Sequence, residues 1–375
     1  MAETMNVSQA PVWAKEELDR ICSVLEREME RYGTKFPSAC AEGGVYSVGE
    51  NDDWTNGFWT AMLWMAYQYT GREKFRALAD ENMKSFEKRL DDHVVLEHHD
   101  IGFLYSLSVW AGYRLTGEEH LKSVVLRAAD VLADRYQEKG GFIQAWGKKG
   151  APGEYRLIID SLMNLPLLYR ASEISGSPSY REMAESHYQK VIQNIVREDC
   201  STYHTFYFDP ETGLPDHGAT HQGFSDQSCW ARGQAWAILG MPLHARISGD
   251  GMTEDEKGLY GKIVEYFDSR LPSDGMPYWD LIFGEGSDQP RDSSALAIAA
   301  CGMLEMQETE KAYGMLKTLI NQASTAAEPE SEGFLLHGVY AYAEGKGVDE
   351  PDLWGDYFYM EALCRVCDPD WTPYW

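Results

Sequence analysis

The stretch Arg156 to Leu168 reads RLIIDSLMNLPLL and holds one carboxylate, Asp160, in a nearly apolar run. An aspartate is rarely buried without a partner or a function. Desolvation there pushes its pKa upward, toward a proton donor usable near neutral pH. The same residue could instead cap a helix running from Ser161 to Leu168, because Asp is a preferred N-cap. A second aspartate, Asp100, follows His98 and His99 and precedes another apolar run. Two such carboxylates make a candidate acid/base pair. Trp54, Trp146, Trp230 and Trp236 are candidate platforms for sugar rings. Arg232 is a natural fork for a carboxylate. His99, His204, His221 and Gln222 complete the polar set. Taken singly, each Trp reads more often as core and each His more often as a satisfied structural residue. No HExxH-type spacing or thiolate group marks a metal site, so none is expected. GKKGAPGE lacks the Lys-Ser/Thr ending of a phosphate loop, nothing resembles a nucleophile elbow, and no cofactor is expected.

These residues share a sequence context that recurs along the chain. A polar or aromatic signal precedes a nearly all-apolar segment, and an amphipathic segment follows. The apolar segments begin near Asp53, Asp100, Asp160, Asp226, Asp292 and Asp356, at steps of 47, 60, 66, 66 and 64 residues. Four end in Thr70-Gly71, Thr116-Gly117, Ser175-Gly176 and Gly249, as helices do. A segment apolar all round is a helix buried on all sides, and an amphipathic one is half-exposed. Five amphipathic segments follow their apolar partners. A sixth, at 12–32, carries Trp13, Leu18, Ile21, Val24, Leu25, Met29 and Tyr32 at helical spacing and would close a ring beside the last copy. The pattern predicts an all-α chain, a single (α/α)6 barrel over residues 1–375, with strands limited to short pieces such as TYHTFYF. In that ring the inner helices all start at one end, which gathers six distant polar signals at one mouth.

Composition narrows the function. The 375-residue chain has 44% hydrophobic residues, 12 Trp, 22 Tyr and 13 Phe, which suits a carbohydrate cleft as well as a core. A formal net charge of −27 argues against nucleic acid, whose binding rests on Lys and Arg. The seven scattered cysteines do not look like a disulfide framework, and Cys364-x-x-Cys367 is a single pair on a predicted helix. No secretory signal or apolar run of about 18 residues is visible, so a cytoplasmic protein with no membrane contact is expected, a monomer or homodimer.

The blocks DWTNGFW, HHDIGFLYSLS, GFIQAWG, LIIDSLMNLPLL, YHTFYFDPETG, THQGFSD, WARGQAW, YWD, RDSSALAIAACG and WGDYFYMEAL resemble, in order, the unsaturated glucuronyl hydrolases of glycoside hydrolase family 88. The resemblance runs from about residue 50 to the C-terminus. It implies an (α/α)6 barrel and, as substrate, a lyase-generated oligosaccharide with a 4,5-unsaturated uronic acid at its non-reducing end. It implies Asp160 as general acid/base and Asp100 as a second essential aspartate that holds substrate hydroxyls and adjusts Asp160. It also implies Trp54, Trp146, His204, Trp230, Arg232 and Trp236 around the unsaturated ring, with His221 and Gln222 near the ring carboxylate and incoming water. Members that prefer sulfated fragments carry S-x-x-S-x-K in a late loop. Here the matching stretch is Ala341-Tyr-Ala-Glu344-Gly-Lys346. Lys346 remains a candidate substrate contact, but both serines are replaced and Glu344 would repel sulfate. Unsaturated rhamnogalacturonyl hydrolases match HHDIG and THQG less well. A sugar epimerase using paired His and a non-catalytic carbohydrate-binding toroid are the other readings; neither requires Asp160 in an apolar run.

Overall fold

The computed structural model describes residues 4–375. Six helices surround a common axis: α2 (Asn56–Thr70), α4 (residues 101–116), α6 (Leu165–Ser175), α8 (Ala231–Ser248), α10 (Ser293–Glu305) and α12 (Leu353–Cys367). Each packs on the next and α12 packs on α2, so the inner ring is closed. Outside lie α1 (Val12–Tyr32), α3 (Glu73–Asp91), α5 (His120–Asp134), α7 (Pro178–Asn194), α9 (Glu254–Arg270) and α11 (Thr309–Gln322). Five outer helices follow and cover the inner helix before them, and α1 covers α12. This is the (α/α)6 toroid expected from the alternation of apolar and amphipathic segments.

Local sequence explains the elements. Helix α10, SSALAIAACGMLE, is buried almost all round. Its small residues allow close approach to α8: a Cβ on Gly302 would stand 2.5 Å from the Ile238 carbonyl oxygen. Helices α2, α4, α6 and α8 end on Gly71, Gly117, Gly176 and Gly249, all left-handed, a conformation glycine adopts without a Cβ penalty. The barrel is plugged, not open. Phe58, Phe103, Trp236, Phe358 and Trp375 meet tilted, edge-to-face or stacked at 5.3–6.0 Å, so inner helices are joined through one aromatic cluster.

Two local expectations change. The helix from Ile101 is not uniformly α: Ser106–Trp110 is a π-turn between α-helical Ile101–Tyr105 and Ala111–Thr116. Ser108 Oγ donates to the Leu104 carbonyl within it, a bond that competes with the helix ladder. Asp160 does not cap an α-helix. It lies in a 3-10 turn, Ile159–Met163, and α6 starts at Leu165 with Pro166 in its first turn.

The strands are short and lie in the connections. They are β1 (Phe36–Glu42) with β2 (Val45–Gly49), β3 (Tyr136–Gln137) with β4 (Phe142–Ile143), and β8 (Gly338–Ala341) with β9 (Lys346–Glu350). A three-stranded sheet joins β5 (Arg156–Ile158), β6 (Thr205–Phe208) and β7 (Pro215–Ala219), all antiparallel. Ile158 pairs with Thr205 and Thr205 with Ala219, so this sheet ties the Asp160 turn to the loops bearing His204 and Gln222. The cysteines are unpaired. Cys364 and Cys367 are buried on α12, and burial pushes the Cys367 thiol up to about 12, which leaves them inert core thiols.

Candidate active site

A cavity of about 300 Å³ opens at the end where the inner helices begin. Trp54, Asp52 and Asp53 line it from the turn before α2, His98 and Asp100 from the turn before α4, and Trp146 from the loop after β4. Asp160 enters from the turn after β5, Gln222 from the loop after β7, and Trp230, Arg232 and Trp236 from the start of α8. Eight residues expected from sequence, Trp54, Asp100, Trp146, Asp160, Gln222, Trp230, Arg232 and Trp236, thus meet at one wall.

His99 stands between Asp160 and Asp100. His99 Nε2 lies 3.4 Å from Asp100 Oδ1 and 3.4 Å from Asp160 Oδ1. The ring is 1% exposed, and burial lowers its pKa to about 4, so it is neutral at physiological pH. A neutral imidazole between two carboxylates leaves one negative charge best accommodated. The two aspartates differ in environment. Burial and the Asp100 anion raise the pKa of Asp160 well above the usual carboxylate range, against the opposing pull of Arg232 and its own backbone N–H. For Asp100, burial also pushes upward, but His99, His98 and the Asn164 amide hold its pKa below the ordinary value. The two environments pull the pKa values apart, upward for Asp160 and downward for Asp100, an arrangement that sorts acid from anion. Asp160 is 16% exposed where it opens onto the cavity. His99, Asp100 and Asp160 also have ligand atoms within 4.8 Å of one another and are the set that could hold a metal ion among the described residues.

The pair is fixed by packing that sequence reasoning did not find. Asn164 Oδ1 accepts from the Phe103 backbone N–H at 2.8 Å, tying the Asp160 turn to α4. There the backbones nearly touch: a Cβ on Gly102 would stand 2.3 Å from Asn164 Cα. His187, fully buried on α7, accepts the Ile143 N–H at Nδ1 and therefore donates from Nε2 to Ser161 Oγ at 2.6 Å. Ser161 in turn donates to the Ile158 carbonyl, so the turn carrying Asp160 is held on both sides.

The cationic and aromatic wall is equally ordered. Arg232 lies between the Trp230 and Trp354 rings, 4.4 and 4.7 Å from their centroids. Its fork is not free for a substrate carboxylate, as its residue type suggested. Nη1 bonds the Val339 carbonyl and Asp292, and Nη2 bonds the Tyr340 carbonyl and Gln222 Oε1 at 2.8 Å. Arg232 thus contributes a fixed positive field and aims Gln222. His204 accepts the backbone N–H groups of His221 and Gln222 at Nδ1, at 2.9 and 3.2 Å, and burial keeps its pKa well below the usual histidine value. It shapes the Gln222 loop from behind the wall. His221 stands beside Trp146, ring centroids 5.8 Å apart, and its Nε2 accepts from Arg156 at 3.0 Å. Lys346 is not in the cavity wall. It lines the neighbouring groove of about 690 Å³, and its Nζ sits 4.1 Å over the Tyr340 ring. Sequence reasoning missed Tyr340, which lines the cavity and accepts from Trp54 Nε1 at 2.8 Å. It also gave Arg156 no role, although its guanidinium covers the Trp146 and Tyr207 rings at 5.1 and 5.2 Å. An arginine opening the Asp160 stretch was the available signal.

Comparison with known proteins bears on this site. The family model described as Glycosyl Hydrolase Family 88 matches residues 28–248. The "Unsaturated chondroitin disaccharide hydrolase" of Streptococcus pneumoniae is 45% identical, over 98% of this chain and 96% of that protein. The crystal structure of unsaturated glucuronyl hydrolase from Streptococcus agalactiae superposes with a TM-score of 0.91 at 42% identity, covering 100% of both chains. A variant of that enzyme complexed with dGlcA-GalNAc6S superposes with a TM-score of 0.85 at 38% identity, again over 100% of both chains. Among the described residues no helix is long and apolar enough to cross a membrane. A toroid with a paired-aspartate cavity and full-length relatives of this kind belongs to Glycosyl Hydrolase Family 88, and the chain is a glycoside hydrolase.

Proposed function

We propose that the protein releases 4,5-unsaturated glucuronic acid from the non-reducing end of lyase-generated glycosaminoglycan oligosaccharides, through hydration of the vinyl ether. The observation that carries this reading is the placement of Asp160 and Asp100 on either side of the buried His99 in a Trp-lined cavity, where burial and the Asp100 anion raise the pKa of Asp160. The substrate's C4=C5 bond is conjugated to the ring oxygen. Asp160 gives its proton to C4, and positive charge develops on C5 and the ring oxygen. The Asp160 carboxylate then takes a proton from water as its oxygen bonds C5, with Gln222 directing that water. The C5 hemiketal opens by cleavage of C5–O5, and the hemiacetal left at C1 expels the rest of the oligosaccharide. One water is consumed and Asp160 is reprotonated. Asp100 fixes substrate hydroxyls and raises the pKa of Asp160. The anomeric carbon is never attacked, so carboxylate spacing carries no retaining or inverting meaning here.

The late loop supports a preference for unsulfated or differently sulfated disaccharides. Ala341 ends β8, Glu344 is exposed and its charge acts on His221, and Lys346 is held against Tyr340. An anionic Glu344 at this rim repels a sulfate. In this reading residues 1–375 act as one catalytic domain, closed by α1, as a monomer or homodimer in the reducing cytoplasm that suits seven unpaired cysteines.

The test is loss of the ultraviolet absorbance of the conjugated double bond with unsaturated chondroitin, hyaluronan and heparin disaccharides. Loss on any of them is expected, fastest for the unsulfated ones. Faster turnover of a 6-sulfated than an unsulfated chondroitin disaccharide overturns the loop argument, and no loss on any of them overturns the substrate class.

A further inference from the structure

Beside the cavity mouth lies an aromatic surface that the hydration chemistry does not use. Phe224 is 56% exposed and Ile282 is 53% exposed. The Phe224 ring meets Phe283 edge-to-face at 5.2 Å, and both pack on Trp279, at 6.3 and 5.7 Å. Tyr342 stacks on Trp279 at 4.4 Å with 17° between the planes. Trp279 is buried and forms the floor, while the other three rings reach solvent.

The surface is built rather than incidental. Asp280 is fully buried beneath it. Its Oδ2 accepts from the Phe224 N–H at 2.8 Å and from Ser228 Oγ at 2.7 Å, and its Oδ1 accepts from the Ile282 N–H at 3.0 Å. One buried carboxylate thus pins two of the three loops that present these rings, those of Phe224 and Phe283. A scattered apolar residue needs no explanation, but a contiguous, anchored aromatic patch marks a binding surface.

It is also continuous with the site. Phe224 lies two residues beyond Gln222, and Tyr342 two residues beyond Tyr340, both of which line the cavity. Two residues of extended chain span at most about 7 Å, little more than one sugar unit. At about 300 Å³ the cavity is at the small end of ligand pockets, so sugars toward the reducing end must lie outside it. The neighbouring groove is lined by Glu42, Glu350 and Asp53 together with Arg31 and Lys346, and its one aromatic residue, Tyr46, is buried, so it offers no exposed ring face to a sugar.

We infer, resting on the substrate reading above, that Phe224, Phe283 and Tyr342 form a stacking platform for sugar units beyond the terminal disaccharide, so that the enzyme favours longer fragments. Sugar C–H faces stack on aromatic rings without requiring charge, which suits a platform on so acidic a protein.

The experiment compares an unsulfated unsaturated chondroitin disaccharide with the corresponding tetrasaccharide, using wild type, Phe224→Ala and Phe224→Tyr. In Phe224→Ala, kcat/KM for the tetrasaccharide is expected to fall about fivefold, equivalent to about 1 kcal/mol, while the disaccharide value stays within about twofold. Phe224→Tyr restores the tetrasaccharide value. Calorimetric titration of the same tetrasaccharide reads the platform independently of turnover, with an affinity loss of about fivefold in Phe224→Ala. Equal effects on both substrates, or unchanged tetrasaccharide affinity, overturn the inference. So does a change of oligomeric state with unchanged affinity, which would make the patch a contact between copies. A wild type that binds the tetrasaccharide through Phe224 but leaves the double bond intact overturns the hydrolase reading instead.

Discussion

Replacing Gly102 by alanine tests whether the close approach of two backbones sets the carboxylate pair. A Cβ at Gly102 would stand 2.3 Å from Asn164 Cα, 2.6 Å from its carbonyl oxygen and 2.7 Å from Oδ1. Ordinary carbon–carbon contact begins near ~3.5 Å, so the two segments must separate by about 1 Å. Two of the three atoms met are backbone, which no rotamer change moves aside. Gly102 lies two residues after Asp100, and Asn164 four after Asp160, so the separation is transmitted to the reacting groups. Overpacking of this kind costs about 1–3 kcal/mol, a fall in Tm of about 1–4 °C for a chain of this length. A displacement of about 1 Å at the reacting centre costs up to about 10²-fold in rate. Thermal denaturation and steady-state kinetics on an unsaturated disaccharide read both effects, and kcat is expected to fall about 10- to 100-fold. The control is Gly258→Ala on α9, where an added Cβ meets nothing within 4 Å. It should gain up to about 1 kcal/mol through helix propensity. A Gly102→Ala protein with wild-type Tm and kcat would refute the reasoning.

Asp160→Asn should lower kcat by about 10²–10⁴-fold while the substrate still binds; a near-normal rate removes Asp160 from the mechanism. Turnover in the wild type should fall on the alkaline side as pH passes the raised pKa of Asp160, and Asp100→Asn should shift that limb to lower pH by removing an anion that raises it. A limb that stays in place dissociates the two groups. His187→Ala, which frees Ser161 in the Asp160 turn, should lower kcat about tenfold with KM little changed, through misalignment; an effect on KM alone would point to another role. Asp356 is buried, accepts the Phe334 and Leu335 N–H groups, and has its pKa raised to about 7, chiefly by burial. The folded state therefore binds more protons than the unfolded one between about pH 4 and 7, and stability falls as pH rises through that window. Asp356→Asn should narrow the difference in Tm between about pH 5 and pH 8, and an unchanged difference excludes this account.

The order of apolar and amphipathic segments carries the ring because burial on all sides and burial on one side leave different residue patterns. Gly71, Gly117, Gly176 and Gly249 mark helix ends for a purely local reason, the left-handed backbone. Asp160 was conspicuous because an isolated carboxylate in an apolar run has few physical justifications, and the polar signals before the inner helices converge because all those helices start at one end. Other features depend on contacts that no local pattern encodes. Whether Asp160 capped a helix or stood in a turn was decided by Pro166 and by His187, which arrives from α7. Arg232 has the composition of a carboxylate fork, yet its Nη donors are taken by two carbonyls, Asp292 and Gln222, which only packing of α8 against β8 and the Gln222 loop could fix. Tyr340 and the Asp280-anchored rings reach the mouth on loops whose course is set by long-range hydrogen bonds. Local residue pattern is enough to tell which segments are buried and which carboxylate is out of place. Which charges face one another depends on packing between distant segments, and that packing pushes the pKa of Asp160 up and that of Asp100 down.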